Sequence, residues 1–339
     1  MGDHRLTILD MCQRLFTSSF TALIFMKISG FTIAKNASKL YYPIKAAIES
    51  VLPIVDEFVV ALGDCDQDDD TEQIIRSIGS DKIKIIHTVW DTQKYPNGME
   101  YARQTDIAKA ACSGDWLFYI QCDEVLHEKY LLLIHQHCRK YLKDRSVEGF
   151  LFNYRHFWGD YDHYVLSHAW YPKEIRIIRN DPDIHSWRDA QSFRRILNFD
   201  QQNYYQKAGS RKLKVIPLQA YIYHYGFVRP PELMQKKNKN HQANYRGAIA
   251  TQMRFADDQE VYDYGDLSKL HWFDEGHPQV MHDFINRFNW GHQLRYGPKP
   301  GAKPQKHEKL KYCILTFIEQ NLLAGKQLFG FRNYDLLNK

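Results

Sequence analysis

Two carboxylates, Asp123 and Glu124, follow closely on a short apolar and aromatic run over residues 116–120. A continuous apolar run bounded by polar residues predicts a strand in a sheet that is covered on both faces. The carboxylates then lie at or just beyond its carboxyl end, the edge where open α/β sheets bind ligands. Acids there could hold a divalent cation, which in turn could hold a diphosphate. Asp123 could equally be the N-cap of the segment that follows, and this stretch alone leaves both interpretations open.

A second group of acids lies in the turn over residues 64–71, after a predicted strand over residues 56–62. A carboxylate at this edge of the sheet can accept hydrogen bonds from a nucleobase or a ribose, and we assign that role to Asp64. The same acids would suit the positive end of the dipole of the helix that begins near Thr71. For Asp69 and Asp70 we favour this structural interpretation.

The elements that must position these acids alternate between strands and helices up to residue 124. The pattern predicts strands over residues 28–34, 56–62, 82–87 and 116–120, with helices over 42–52, 71–78 and 102–112. Strands that alternate with helices of roughly ten residues indicate βαβ units and a largely parallel sheet, hence an α/β fold. After about residue 147 we expect strands over 149–154, 173–179 and 218–224, an aromatic loop over 157–171 and a helix within 229–246.

The composition is that of an ordinary globular protein. Of the 339 residues, 44% are hydrophobic and 25% are charged, and the net charge is +5. A charge of this size does not indicate nucleic-acid binding, which usually needs a concentrated basic face. The six cysteines are scattered and form no CxxC pair, which is typical of reduced thiols in a cytoplasmic protein. Residues 15–28 are too few and too polar for a confident transmembrane helix.

In their order and spacing, these motifs resemble the family 2 glycosyltransferases, the inverting enzymes with the GT-A nucleotide-sugar fold. The resemblance covers roughly residues 28–125, through Phe31–Asn36, the strand over 55–60, the acidic turn, Tyr101–Gln104 and Gln121–Glu124. The last segment occupies the position of the family's Asp-X-Asp signature, with Gln121 in place of the first acid and Asp123 as the second. Asp70 stands where the family usually has glycine. The resemblance implies a GT-A-type fold, with a mostly parallel central sheet flanked by helices and a helical C-terminal extension.

The resemblance also implies a set of site residues. A divalent cation, Mn²⁺ or Mg²⁺, would be held by Asp123 and by a late histidine, His224, at the end of a strand. Imidazole suits Mn²⁺ better than Mg²⁺, although a histidine can also simply end a strand. The nucleoside of the nucleotide-sugar donor would bind in a pocket that contains Lys35, Asn36 and Asp64. The donor would also contact the signature positions Gln121 and Cys122, and Arg103 and Lys236 would approach its diphosphate.

Inverting transfer needs a carboxylate base near the acceptor hydroxyl and charge stabilisation on the departing diphosphate. In the family this base lies downstream of the metal motif, and the candidates here are Asp160, Asp162 and Asp189. We choose Asp189, because it follows the presumed acceptor-side strand and lies beside Trp187, which could stack on a sugar. The alternative is that Asp189 forms a surface ion pair with a neighbouring arginine.

The predicted function is that of an enzyme, a metal-dependent, hexosyltransferase-like transferase. It would move a sugar from a nucleotide diphosphate-sugar to a hydroxyl of a saccharide or lipid-linked acceptor, in polysaccharide or glycoconjugate biosynthesis. Two alternatives stay open. A nucleotidyltransferase would need a glycine-rich phosphate loop after the first strand, whereas residues 35–38 contain no glycine. A non-catalytic carbohydrate-binding scaffold is compatible with Gln121 in the signature.

We divide the chain into an N-terminal appendage (residues 1–25), a catalytic domain (26–250) and a mostly helical C-terminal extension (251–339). In the extension, Arg295 and five lysines up to residue 311 lead into an amphipathic helix whose apolar face contains Leu310, Ile314 and Phe317. Such a segment can hold a protein on an anionic membrane surface, so peripheral contact through residues 295–323 with the inner membrane face is one expectation. The alternative, which we favour, is that this face packs onto the catalytic domain.

Overall fold

The computed structural model describes residues 25–246, 251, 260–330 and 332–339. The strands are β1 (Ile28–Ala34), β2 (Glu57–Leu62), β3 (Ile83–His87), β4 (Trp116–Tyr119), β5 (Glu124–Leu126), β6 (Gly149–Trp158), β7 (His163–Val165), β8 (Lys173–Arg179), β9 (Ile184–Trp187), β10 (Ser192–Ile196), β11 (Ser210–Phe227), β12 (His271–Trp272) and β13 (Tyr334–Leu336). The α-helices are α1 (Ile44–Val51), α2 (Thr71–Arg76), α3 (Met99–Ala110), α4 (Leu131–Lys140), α5 (Pro231–Arg246), α6 (His282–Asn286) and α7 (Leu310–Asn321). The predicted appendage lies outside the described residues, except for residue 25.

The strands form one curled sheet in the order β3-β2-β1-β4-β8-β6-β11-β10-β9. Strands β3, β2, β1 and β4 run parallel to one another, and β6 is parallel to β11. Between these two groups, β8 runs antiparallel to both β4 and β6. The predicted α/β class, with a parallel core and flanking helices, is confirmed. Within the described part of the C-terminal region, short helices alternate with loops, and β13 adds to the sheet beside β11.

The parallel core forms because its strands are apolar on both faces. Every residue of β1 and of β4 is buried. Gly30 in β1 is required for close packing, since a Cβ atom there would lie 2.4 Å from the Phe58 ring on β2. This packing fixes the carboxyl ends of β1 and β4 side by side.

The strand order creates a crevice at that edge of the sheet. From β1 the chain passes to β2 and β3 on one side, and it then returns to pair β4 with the other side of β1. Such a reversal of strand order leaves an opening between the outgoing loops, and ligands of open α/β sheets bind there. The segments that follow β1 and β4, residues 35–38 and Gln121–Asp123, lie at this opening.

The second half of the sheet differs from the sequence prediction in its lengths. β11 begins at Ser210 and contains 18 residues, whereas a strand was predicted only over residues 218–224. The strand contains Pro217 and continues past it through a shift of register between Pro217 and Tyr221, the kind of irregularity that accommodates proline in a sheet. β6 likewise extends to Trp158, and β7 lies inside the region predicted as an aromatic loop.

The pairing of β5 with β11 brings the signature segment against the late histidine. β5 is antiparallel to β11, with Glu124 opposite His224. The Tyr225 amide donates a 2.7 Å hydrogen bond to the Asp123 carbonyl. Because Asp123 leads into a strand, the N-cap alternative for this residue is wrong.

Candidate active site

A cavity of about 690 Å³ lies at the crevice between β1 and β4. Its volume is within the range of small-molecule sites. Seven of the ten site residues predicted from the sequence line it: Lys35, Asn36, Gln121, Cys122, Asp123, Asp189 and His224. The remaining three, Asp64, Arg103 and Lys236, do not line the cavity.

Asp123 and His224 face each other beside Gly226. The Oδ2 atom of Asp123 lies 3.5 Å from Nε2 of His224, and both side chains are largely buried. A Cβ atom on Gly226 would lie 2.5 Å from that Asp123 oxygen and 2.6 Å from His224 Nε2. The absence of a side chain at position 226 therefore keeps the space between the two donor atoms open.

The tautomer of His224 is set by a chain of hydrogen bonds behind it. His156 Nε2 lies 2.8 Å from the Tyr171 carbonyl, which can only accept, so this nitrogen carries the proton. Burial and the neighbouring His224 lower the pKa of His156 to about 3, which leaves its Nδ1 as an acceptor. His224 Nδ1, 3.1 Å away, must then donate to it. The lone pair of neutral His224 is consequently on Nε2, the atom that faces Asp123.

Two basic side chains meet at the Gly226 carbonyl, close to Asp123. Lys237 Nζ lies 3.9 Å from Asp123 Oδ2 and donates a 2.6 Å hydrogen bond to the Gly226 carbonyl, to which Arg229 also donates. Burial alone would raise the pKa of Asp123, but His224, Lys237 and Arg229 outweigh it and hold that pKa far below its usual range. Burial, helped by Arg229, lowers the pKa of Lys237 to about 7. Asp123 is therefore ionised at neutral pH, and Lys237, with its pKa near 7, is present in both its charged and its neutral form.

The donor pair fits a divalent cation that also binds a ligand. Two donors 3.5 Å apart can both approach one ion at about 2.1 Å. Within the described ranges, no group of three or more His, Cys, Asp and Glu side chains is arranged to hold a metal. An ion at Asp123 and His224 would thus need oxygens from water or from a phosphate, as is common for Mg²⁺ in nucleotide sites.

Asp189 lies on a strained loop in another wall of the same cavity. Its neighbours Arg188 and Ala190 have φ angles of 59° and 62°, which non-glycine residues adopt at a cost of order 1–3 kcal/mol each. Tyr245 donates a short hydrogen bond to Asp189 Oδ2. Gly98 at the start of α3 makes room for this pair, because a Cβ there would lie 2.9 Å from Asp189 Cβ. Such strain is typical of loops that carry functional groups.

Gln121 ties this loop to the end of β4. Its side-chain amide donates to the Ala190 carbonyl at 3.2 Å, and its backbone amide donates to Glu124 at 3.1 Å. A carboxylate at position 121 could not donate to that carbonyl. The departure from the Asp-X-Asp signature therefore has a structural reason in this chain.

One face of α5 forms a wall of the cavity that the sequence analysis did not foresee. Residues three, four, seven and eight positions after Lys237 point to the same side of the helix, and with it they line the cavity: Asn240, His241, Asn244 and Tyr245. From this helix, Lys236 was predicted as a diphosphate-side cation. Lys236 is exposed, whereas its neighbour Lys237 is buried against the cavity. The helical spacing of the polar and aromatic side chains was the signal that could have identified this face.

The other residues predicted for the site have protein partners instead. Asp64 Oδ1 accepts 2.9 Å hydrogen bonds from Lys35 Nζ and from the Trp90 amide, two residues that do line the cavity. Arg103 pairs with Glu100 at 2.7 Å on α3. Trp187 is buried, with the Arg194 guanidinium 4.5 Å from its ring centre, so it is not available to stack on a sugar in the cavity.

Neither a family model nor a curated protein matches this chain. Glucosyl-3-phosphoglycerate synthase from Mycobacterium tuberculosis, crystallised with Mn²⁺, uridine diphosphate and phosphoglyceric acid, is 19% identical over 45% of this chain and 48% of its own, with a TM-score of 0.26. Its complex with Mn²⁺, uridine-diphosphate-glucose and phosphoglyceric acid is 20% identical over 45% and 50%, with a TM-score of 0.27. TarS from S. aureus is 16% identical over 69% and 41%, with a TM-score of 0.36. The chain thus spans half or less of the length of these proteins.

Proposed function

We propose that this chain is an inverting glycosyltransferase of the family 2 type, which moves a sugar from a nucleotide diphosphate-sugar to an acceptor hydroxyl. The observation that carries the proposal is one cavity with two chemically distinct walls. One wall holds Asp123, His224 and Lys237, a set that suits a cation and a diphosphate. The other holds Asp189, a carboxylate on a separate strained loop, which suits a base.

The diphosphate of the donor would bind on the Asp123 wall. A divalent ion held by Asp123 and His224 would neutralise charge on the departing phosphate oxygens. Lys237 would approach the same oxygens, in the role assigned to Lys236 from the sequence. Its ammonium donates one hydrogen bond to the Gly226 carbonyl and retains two further hydrogens. An anionic ligand would raise the pKa of Lys237 from about 7, so that binding and protonation reinforce each other.

The nucleoside would lie against the segment after β1, beside Lys35 and Asn36. Trp90 lines the cavity here, and its buried indole nitrogen has no hydrogen-bond partner in the described part of the protein. This nitrogen lies against Gly63, where a Cβ atom would be 2.4 Å from it, so the indole would contribute an aromatic wall to the nucleoside pocket. Asp64 would not contact the nucleoside itself. Its Oδ1 atom would position the pocket, because it accepts hydrogen bonds from the Lys35 ammonium and the Trp90 amide.

Asp189 would be the catalytic base. The acceptor oxygen would attack the anomeric carbon on the face opposite the diphosphate, Asp189 would take the hydroxyl proton, and the bond between that carbon and the diphosphate oxygen would break. Burial and the neighbouring Asp189 hold the pKa of Tyr245 far above its usual range, so this phenol stays protonated and donates to Oδ2. The other carboxylate oxygen is then left for the acceptor. Gln121 would position the loop through its bond to Ala190.

The test is a thermal-shift screen of UDP-, GDP- and dTDP-sugars with and without Mn²⁺, followed by transfer assays with the donor that binds. A ligand at about a hundredfold over its Kd stabilises the folded state by roughly 2.7 kcal/mol. Asp189→Asn should retain the donor-induced shift and lose transfer. The proposal fails if no nucleotide-sugar shifts the melting temperature. A wild-type protein that binds the donor but transfers sugar no faster than Asp189→Asn would be a scaffold. Release of pyrophosphate from a nucleoside triphosphate and a sugar phosphate would instead indicate a nucleotidyltransferase.

A further inference from the structure

The C-terminal helix α7 is attached to the rest of the protein by its polar side. Glu319 is 3% exposed, and its Oε1 atom lies 2.6 Å from His168 Nδ1 and accepts a hydrogen bond from the Leu328 amide at 2.7 Å. Thr316 accepts from the His168 amide at 2.9 Å. The favoured expectation, that the apolar face of this helix packs onto the catalytic domain, is therefore wrong.

The apolar side of α7 points to solvent. Leu310, Ile314 and Phe317 are 76%, 51% and 63% exposed, and their spacing of four and three residues places them on one side of the helix. We refer to these three residues as the exposed stripe. An amphipathic helix normally buries its apolar side and exposes its polar side. The reverse arrangement here marks the exposed stripe as an interaction surface.

Exposed lysines flank and precede the beginning of the exposed stripe in the sequence. Lys309 and Lys311 flank Leu310 in sequence, and both are exposed. Three more exposed lysines precede them, at positions 299, 303 and 306. The one acid in the sequence from residue 295 to residue 311, Glu308, is turned towards the protein, where it accepts from the Gln305 amide at 2.6 Å and pairs with Lys269 at 3.2 Å. The surface next to the exposed stripe is therefore basic.

We propose that the exposed stripe and these lysines form a docking surface for an anionic membrane. A bilayer rich in acidic lipid offers both apolar depth for the stripe and negative charge for the lysines. A second copy of the chain would bring two sets of lysines together, and this repulsion disfavours self-association through the same surface. Among the described residues, no helix is long and apolar enough to cross a membrane. At 12 residues, α7 would lie in the interface.

The docking surface is connected to the wall of the cavity. Lys306 lines the cavity and donates to the Ala169 carbonyl at 3.0 Å, and Ala169 follows the His168 that binds α7. A membrane bound at α7 would thus lie near the cavity and could present a lipid-linked acceptor to it. This consequence rests on the proposed function, whereas membrane docking itself does not.

The test is co-sedimentation of the full chain with phosphatidylcholine vesicles that contain or lack phosphatidylglycerol, at low and high salt. We expect binding to the anionic vesicles at low salt, reduced about tenfold or more by high salt or by omission of the anionic lipid. The variant Leu310→Gln/Ile314→Gln/Phe317→Gln should lose about tenfold or more in binding and keep the wild-type melting temperature, because all three side chains are already exposed. Lys309→Glu/Lys311→Glu should lose binding to a similar extent. Leu132→Gln on α4, where the leucine is 68% exposed, is the matched control and should bind as the wild type does.

Three results would overturn the inference. One is a wild-type protein that stays in the supernatant with anionic vesicles at low salt. The second is a triple variant that binds as well as Leu132→Gln does. The third is a wild-type dimer in sedimentation velocity that the triple variant dissociates without any vesicle binding, which would assign the exposed stripe to a second copy of the chain. The assay contains no sugar nucleotide, so its outcome is independent of the transfer assays above.

Discussion

Asp123 and Glu124 are adjacent in the chain, yet they belong to two different environments. Glu124 is fully buried, and its carboxylate is saturated: Arg176 donates at 2.6 and 2.8 Å, Tyr154 at 2.7 Å and the Gln121 amide at 3.1 Å. Asp123 lines the cavity, and its nearest side-chain partners, His224 and Lys237, lie 3.5 and 3.9 Å away. The two acids share one motif, so their position in it does not distinguish them. Their partners do: a structural acid has all its acceptor sites used by the protein, whereas an acid with open acceptor sites can bind a ligand.

The largest expected effect is on the Glu124 side of this comparison. Glu124→Gln leaves the buried Arg176 guanidinium without its counter-charge, and breaking a buried pair in this way costs about 3–5 kcal/mol. Urea denaturation should show this loss in the free energy of unfolding. Glu124→Gln/Arg176→Met removes both charges and should recover part of the stability. A loss below about 1 kcal/mol for the single variant would remove the distinction between the two acids.

The Asp123 side should respond in the opposite manner. Asp123→Asn should lower sugar transfer by about 10²–10³-fold. The cation loses its carboxylate ligand, and the departing diphosphate then loses the charge that the cation would neutralise. Its free energy of unfolding should change by less than about 1 kcal/mol, because Lys237 can release its proton when the neighbouring charge is removed. Transfer rates and urea curves measured on one preparation test both statements. Undiminished Mn²⁺-dependent turnover would contradict the role of Asp123.

A smaller effect should follow from the residue behind His224. His156→Phe removes the acceptor that fixes His224 with its lone pair towards Asp123, and loss of such a partner typically costs 10–100-fold in metal affinity, on the order of 1–3 kcal/mol. Electron paramagnetic resonance of Mn²⁺, in the presence of a nucleoside diphosphate, measures this affinity directly. His185→Phe makes the same change at a histidine that pairs with Asp106 outside the cavity lining, and it should leave the affinity unchanged.

The smallest effect concerns Glu174, a buried acid on β8 behind the Asp189 loop. Burial raises the pKa of Glu174 to about 8, and its Oε1 atom accepts from Gln191 at 2.8 Å. Between pH 4.5 and about 8 the folded chain keeps a proton that the unfolded chain releases, so the free energy of unfolding falls as the pH rises.

Glu174→Gln mimics the protonated acid and should abolish this fall, so that the variant exceeds the wild type by about 2 kcal/mol near pH 6 and by less than about 0.5 kcal/mol near pH 4.5. Urea denaturation at the two pH values measures the difference. An advantage that is the same at both values would mean that the acid does not titrate in this range.

The parallel half of the fold was predictable because local patterns decide it. The bounds predicted for β1 agree with the structure, those of β2 and β4 differ from it by one residue, and α3 ends within two residues of its predicted end. Each of these segments has a continuous apolar pattern or a clear stop signal. The length of β11 was not predictable, because a bulge after Pro217 depends on how β6 lies beside it. Long-range pairing overrides the local break signal in that case.

The candidate site was predictable only where it follows directly on a strand. Gln121 and Asp123 closely follow β4, and His224 lies three residues before the end of β11, so the sheet edge that the fold class defines brings all three to the cavity. The choice of Lys236 over Lys237 could not be decided without the rotation of α5 about its axis, which tertiary packing sets. Trp187 was misassigned for the same reason, since the face of a strand that is covered depends on what packs against it.

The central claim is that Asp123 and His224 bind a nucleoside diphosphate through a divalent cation. Calorimetric titration of uridine, guanosine and thymidine diphosphates into the wild-type protein, with Mn²⁺ and with a chelator, tests it most directly. One of these nucleotides should bind in the presence of Mn²⁺, and its affinity should fall by about tenfold or more with the chelator and to the same extent in Asp123→Asn. Equal affinity with and without Mn²⁺, or an Asp123→Asn protein that binds as the wild type does, would contradict the account.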